Sequence, residues 1–377
     1  MRQDDESRHS VSNKKTIGVG LVGVGNWGMY GHIPALRLLP EYKIVAVSSR
    51  SRSRAQETSN AFGIEHAVDN VDELAHLSDV DLVVVLPPAP DHALAVKAAI
   101  SAGKDIYCEW PLTTSTSDSE ELLSIARNAG VRHVVGLQRT LGASTQYLRD
   151  LLAEGYAGRL RSVRMHVSMA SFGPTRSAGL EWTVDKRNFS HVLSIYGGHF
   201  MDMLFHVVGE PSTVSSIVAT QFPELTLSRT GQSFPNETPD CVIAIGTLKN
   251  GALFEVQIEG GKRHQSGLQI DITGTSGDLR VTNTKSFGTK QDNLIAGSQG
   301  EGSEWHVLPT PVRYQTIPDS SLDVSVQDLA QLYAAFAKDR VSGTSDARSF
   351  SDAVTMHRFI DAINSASSLQ HTVTMEV

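Results

Sequence analysis

The stretch TIGVGLVGVGNWGMYGHIPAL, residues 16–36, constrains this chain more than any other. A short apolar strand runs into three glycines spaced G-x-G-x-x-G, and the third opens a helix. In that setting each glycine meets a separate need, with a tight turn at Gly23, close approach of backbone to a pyrophosphate at Gly25, and helix–strand contact at Gly28. The free N–H groups of the helix start then face the anion. Further strands follow in YKIVAVSSR, VDLVVVLPP, KDIYCEWPL and RHVVGLQR, with helical segments between them. That alternation predicts a parallel, doubly wound α/β sheet of the Rossmann kind over residues 15–140. Residues 1–14 are polar and read as a disordered arm.

Beyond TQYLRDLLAEGYAGRL the rhythm changes to β-rich segments joined by turns, one of them the Asn-Gly of LKNGAL, and then to two helices near the C-terminus. Residues 141–377 are therefore expected to form an α+β domain on a mainly antiparallel open sheet. Its last helices are free to pack back on the first domain. Residues 223–240 and 285–303, rich in small and polar residues, are expected as long surface loops.

The second strand decides the cofactor. An acidic residue at its end would bind a free ribose 2′-OH, but here it ends Ser48-Ser49-Arg50. Hydroxyls and a guanidinium suit a 2′-phosphate, so NADP is expected, with NAD as the alternative. The expected cofactor contacts are Gly23, Gly25, Asn26, Trp27 and Gly28, then Ser49 and Arg50. Leu86, Pro87, Pro88, His92, Glu109, Trp110 and Gln138, after the ends of later strands, complete the set.

A second cluster lies in GGHFMDMLFH, residues 197–206. At helical period His199, Asp202 and His206 share one stripe of an otherwise apolar helix. Buried ionisable groups are costly unless paired or used. Two readings of the stripe stay open: a hydrogen-bonded plug in the core, or a site.

Together the glycine turn, LPPAPDHALAVKAAISAGKDIYCEWPL, QRTLGASTQYLRDLLAEGYAGRLRSV and GGHFMDMLFH resemble the Gfo/Idh/MocA oxidoreductases, from about residue 15 to the C-terminus. Within that family CEWPL, GYAG and IDITGTSGDLRV are most similar to the branch of the fungal galactose-regulon repressor. The resemblance implies a dehydrogenase site between the two domains. The family's D-x-x-x-H is laid on Asp202 and His206, which makes His206 the acid/base and Asp202 its orienting or substrate-holding partner. The family's Glu-Lys-Pro is Glu109-Trp110-Pro111 here, so a stacking indole stands where a lysine would bind the reacting hydroxyl. Trp110, His199, Lys186 and Trp182 are the expected substrate contacts, with Lys186 or Lys262 as stand-ins for the lost lysine.

The leading expectation is an NADP-dependent dehydrogenase of a sugar, polyol or related hydroxyl compound. The rival is a dinucleotide- or sugar-sensing regulator with a weak or lost active site, and a third is a structural oligomer that keeps cofactor for stability. A net charge of −8 argues against nucleic acid as a direct partner, and no apolar run reaches the ~20 residues that span a bilayer. Cys108 and Cys241 are too few for a disulfide framework and lack metal-ligand spacing, and the polar start has no signal-peptide core. A cytoplasmic homodimer or homotetramer, joined through the second-domain sheet, is the expected assembly.

Overall fold

The computed structural model describes residues 16–264, 267–287 and 290–375. The arm expected at residues 1–14 lies outside them. In the first domain strands β1 (Ile17–Val22), β2 (Tyr42–Ser48), β3 (His66–Val68), β4 (Leu82–Val85), β5 (Asp105–Cys108) and β6 (His133–Val135) form one parallel sheet. Its order is β3-β2-β1-β4-β5-β6, so the order in which strands are added reverses between β1 and β4, which run parallel. Such a switch point opens a crevice at the C-terminal ends of the strands. Helices α1 (Ile33–Leu38), α2 (Arg52–Phe62), α3 (Val71–His76), α4 (His92–Ser101) and α5 (Thr116–Ala129) cover the two faces. The central strands are apolar throughout because both faces are covered; Leu82–Val85 is wholly buried.

The helix α6 (Ala143–Ala153) leads to a second, nine-stranded sheet. It is built from β7 (Leu160–Ser168), β9 (Pro211–Ala219), β12 (Cys241–Leu248), β13 (Leu253–Glu259), β14 (Gly267–Gly274), β15 (Gly277–Asn283), β16 (Leu294–Gln299), β17 (His306–Val307) and β18 (Val373–Thr374). The pairing is antiparallel except between β7 and β13. A small sheet joins β8 (Thr175–Arg176), β10 (Glu224–Leu227) and β11 (Ser233–Pro235). The segments expected as long loops therefore carry β10, β11 and β16. They are short and mix polar with apolar residues, which hides them from hydrophobic patterning.

One face of the large sheet is apolar and buried, with Val163, Met165, Val256, Ile258, Ile270 and Ile272. It packs on α7 (Gly198–Val208) and α9 (Phe350–Leu369), and α9 also lies against α5 of the first domain. This core continues without a break into one face of the parallel sheet. The core on the opposite face of that sheet is closed by α8 (Val324–Ser342), which packs on α1. The two C-terminal helices thus bind both domains into one body. No helix of the described residues is long and apolar enough to cross a membrane.

Trp110 fastens the joint. It follows β5, yet it is only 4% exposed and its Nε1–H donates to the Ser194 carbonyl at 2.8 Å in the second domain. A Cβ on Gly198 would stand 2.1 Å from that nitrogen. Gly198→Ala should therefore lower stability by about 1–3 kcal/mol, the usual cost of overpacking, read from the midpoint of urea unfolding. An unchanged midpoint would show that the indole can move aside.

Candidate functional site

The crevice is built by the three glycines, each constrained differently. Gly23 sits at φ 77°, and its N–H reaches the Ser48 carbonyl at 2.9 Å, turning the chain tightly off β1. A Cβ on Gly25 would meet nothing within 4 Å, which leaves the backbone open to an incoming anion. Gly28 is buried, and a Cβ there would come within 3.2 Å of Leu86. Asn26 and Trp27 begin the helix, and residues Gly28–His32 widen into a π turn before α1. Such turns concentrate at functional sites. This cradle fits the pyrophosphate of a dinucleotide.

On one rim Ser49 and Arg50 follow β2. The Arg50 side chain is 91% exposed, and its nearest acid, Asp91, is 3.8 Å away. Pro87 backs Gly23 and Pro88 is exposed beside it. His92, expected as a cofactor contact, is instead an enclosed strut. Its Nε2 faces the Pro87 carbonyl at 2.7 Å, and its Nδ1 faces those of Pro111 and Leu112 at 3.0 and 3.1 Å. The ring thereby stands between the loops that follow β4 and β5.

The floor carries a polar network that sequence patterning does not reveal. Glu109 Oε1 accepts from the Tyr107 hydroxyl at 2.8 Å and lies 3.0 Å from His32 Nε2, while His32 Nδ1 is 2.7 Å from the Tyr333 hydroxyl. Burial pushes the Glu109 carboxyl up, but hydrogen bonds from His32 and Tyr107 outweigh it and hold the group below its ordinary value. Nearby, Gln138 is buried, with Oε1 unpartnered among the described residues. Arg139 lies over the rings of Phe200 and Phe287 at 4.2 and 4.8 Å. Trp110 does not form an open stacking wall. Its indole is enclosed against His357, with ring centroids 4.9 Å apart.

The stripe of α7 divides between two places. His199 is buried on the side of Glu109 and Arg139, whose charges both act on it, and its Nδ1 has no partner among the described residues. Asp202 is an internal tie: it accepts from Thr140 and pairs with Arg348, which also holds Asp352 at 2.8 Å. His206, expected in the hydride-transfer cleft, opens elsewhere. It lines a separate cleft with Glu41, Arg149, Lys338 and Arg348. Glu41 directly precedes β2 and its carbonyl takes the N–H of Ile17, so it marks the N-terminal edge of the parallel sheet. No residue of the glycine turn, of Ser49–Arg50 or of Pro87–Glu109 lines that cleft. The physical reason is length: seven residues of helix span about 10 Å.

The remaining candidates are peripheral. Lys186 is exposed and paired with Glu237 at 3.1 Å, although its turn packs on the Ala89–Asp91 turn beside the crevice. Trp182 is 41% exposed in the preceding turn. Lys262 is held by Glu259 at 2.7 Å. Neither lysine stands where Trp110 is.

Fold and crevice together define an NAD-type Rossmann oxidoreductase scaffold joined to an α+β domain. Residues 17–137 match the oxidoreductase family with an NAD-binding Rossmann fold, and residues 144–283 match the Gal80p C-terminal domain. The chain belongs to the Gfo/Idh/MocA oxidoreductase family. It is 34% identical over 266 residues to a dTDP-3,4-didehydro-2,6-dideoxy-alpha-D-glucose 3-reductase of Streptomyces antibioticus, covering 70% of this chain and 74% of that one. It is 27% identical over 315 residues to the galactose/lactose metabolism regulatory protein GAL80 of Kluyveromyces lactis, covering 76% and 68%. Among solved structures, a super-repressor mutant of Gal80p from Saccharomyces cerevisiae superposes with a TM-score of 0.85 at 21% identity, covering 96% of this chain and 98% of that one.

Two outcomes are expected. Gly25→Val should fold as the parent does, because nothing opposes the new side chain, yet lose dinucleotide binding in a fluorescence titration. Normal binding would make the turn merely structural. His191, His199, His206 and His357 are each pushed down to about 4, with burial the leading cause. The unfolded chain takes up their protons near ~6.5, so their contribution is complete above that pH and is lost as pH falls toward 4. His92 and His133 are pushed down by burial as well, while Asp105, Asp202 and Asp328, pushed up by burial, act in the opposite sense but are three against six. Tm should therefore fall steadily from pH 6.5 to 4.5, and a level Tm would contradict these shifts.

Proposed function

We propose that this protein is an NADP-dependent oxidoreductase acting on a hydroxyl-bearing carbon of a sugar, polyol or related compound, with His199 as the acid/base. The observation that carries this reading is the buried, unpartnered Nδ1 of His199 on the Glu109 side of the crevice. Bound NADP supplies the hydride acceptor. His199 takes the hydroxyl proton as hydride leaves the same carbon. Burial lowers its proton affinity to about 4, so the imidazole is free to accept at ordinary pH. The fixed carboxylate of Glu109 then favours the imidazolium that forms. His32 and Tyr107 hold that carboxylate in place. The sugar class is supported by relatives named for such substrates, among them the dTDP-sugar reductase above and levoglucosan dehydrogenase in complex with NADH and levoglucosan. NADP is favoured over NAD because no acid ends β2 and Arg50 projects from it. Ile217, Ile243, Ile245 and Leu253, exposed on the outer face of the large sheet, favour a homo-oligomer built through that face.

A second reading is a dinucleotide-dependent regulatory protein without turnover. The enclosed Trp110, standing where the family has lysine, favours it, as does the match to the Gal80p C-terminal domain.

The two separate in one experiment: purified protein with NADP or NAD and a panel of sugars, polyols and lactones, followed at 340 nm. Given a substrate, His199→Ala should lose about 10²–10⁴ in turnover with cofactor affinity little changed, whereas His206→Ala should retain most of it. The acid limb of oxidation should lie near pH 4, not near ~6.5. Equal turnover in His199→Ala would sink the catalytic assignment, and no turnover on any compound would hand the site to the regulatory reading. Arg50→Ala should weaken NADP by roughly 10–100-fold and leave NAD unchanged, since a charged hydrogen bond is lost only from the former. Equal losses for both cofactors would reject NADP as the preferred one.

A further inference from the structure

The cleft that receives His206 has a volume of about 690 Å³, within the range of small-molecule sites. Its walls come from α6, the turn Val312–Tyr314, α8 and the segment that enters α9. Most of its charges are already matched. Lys338 pairs with Asp346 at 2.7 Å, and Arg348 with Asp352 and Asp202. One end is different. Arg149 Nη2 holds Asp150 at 3.0 Å, the Tyr314 hydroxyl donates to the other oxygen of Asp150 at 2.9 Å, and Arg313 Nη2 lies 3.3 Å from that hydroxyl. Two guanidiniums thus line this end of the cleft, and the one carboxylate that serves both, Asp150, lies outside the lining. Glu154, exposed and outside the lining, reaches Arg313 only through its field. Arg149 Nη1 has no acid to face and instead points at His206 Nε2, 3.4 Å away, with Gln146 Nε2 at 3.5 Å. Donors therefore converge on this end, and the carboxylate of Glu41 belongs to another wall.

We propose that this cleft binds a small polyhydroxylated oxyanion, a phosphorylated or carboxylated monosaccharide. Arg149 and Arg313 take the anionic group, whose oxygens match a guanidinium fork. Gln146, Thr316 and Gln331 face the hydroxyls. Its lining shares no residue with the crevice described above, so it is separate from the crevice and does not depend on the function proposed there.

Calorimetry on the full chain, with saturating NADPH to occupy the crevice, tests this with glucose 6-phosphate, glucuronate, glucose and inorganic phosphate. Glucose 6-phosphate or glucuronate should bind once per chain, whichever carries the better-fitting anion. Glucose and inorganic phosphate should each bind about 10-fold or more weakly, since each lacks one half of the contacts. Arg313→Ala, a surface change, should weaken the sugar anion about 10-fold, and Gly25→Val should leave it intact. Lack of binding by both sugar anions at millimolar concentration overturns the proposal. So does equal affinity for inorganic phosphate, or an unchanged affinity in Arg313→Ala.

Discussion

The junction of the two domains rests on one indole. Trp110 leaves the last turn of a Rossmann strand, crosses into the second domain and gives its only polar atom to the Ser194 carbonyl. That carbonyl belongs to the π turn Leu193–Gly197, which leads directly into α7. The Gly198 N–H also reaches that carbonyl, so the indole takes up the second lone pair of an oxygen already held in the helix. Gly198 leaves room for the ring, and His357 of α9 lies against it, with Phe189 stacked on that imidazole at 5.4 Å. The same packing fixes the position and tilt of α7, and with them the placement of every group on its stripe. In this chain the position that the family gives to lysine serves cohesion between domains.

Beneath that joint the buried charges are arranged as ties. Asp202 links α7 to Thr140 after β6 and to Arg348 ahead of α9, so three separated segments meet at one carboxylate. Removing one partner from such a pair leaves an uncompensated charge, which is why these groups are held in sets. The Glu109, His32 and Tyr333 chain plays the corresponding part on the first-domain side, joining β5, the π turn after Gly28 and α8. His199 and His357 each keep a buried ring nitrogen without a tie among the described residues, and His199 is the one beside Glu109, where chemistry is expected.

The alternation of strands and helices in the first domain is legible because local apolar runs and glycine turns determine it. The glycine roles follow from the same local pattern, as the open space at Gly25 illustrates. Helix α7 is legible too, but periodicity assigns His199, Asp202 and His206 to one face without saying what each end of that face meets. Two turns of helix separate a crevice from a different cleft. His32 and Tyr333 stand 301 residues apart and no local spacing connects them. Strands β10, β11 and β16 escape because they are short and mix polar with apolar residues inside segments rich in turn formers.

His92 carries a consequence for the crevice walls. Three carbonyl oxygens converge on its ring, one from the loop after β4 and two from the loop after β5. Burial pushes its proton affinity down, so the ring is neutral and owns a single N–H. With the proton on Nε2 it grips Pro87, and Nδ1 presents a lone pair to two oxygens; with the proton on Nδ1 the attraction and the repulsion change places. The two walls of the cofactor crevice cannot both be held at once, and the ring's tautomer sets which one yields.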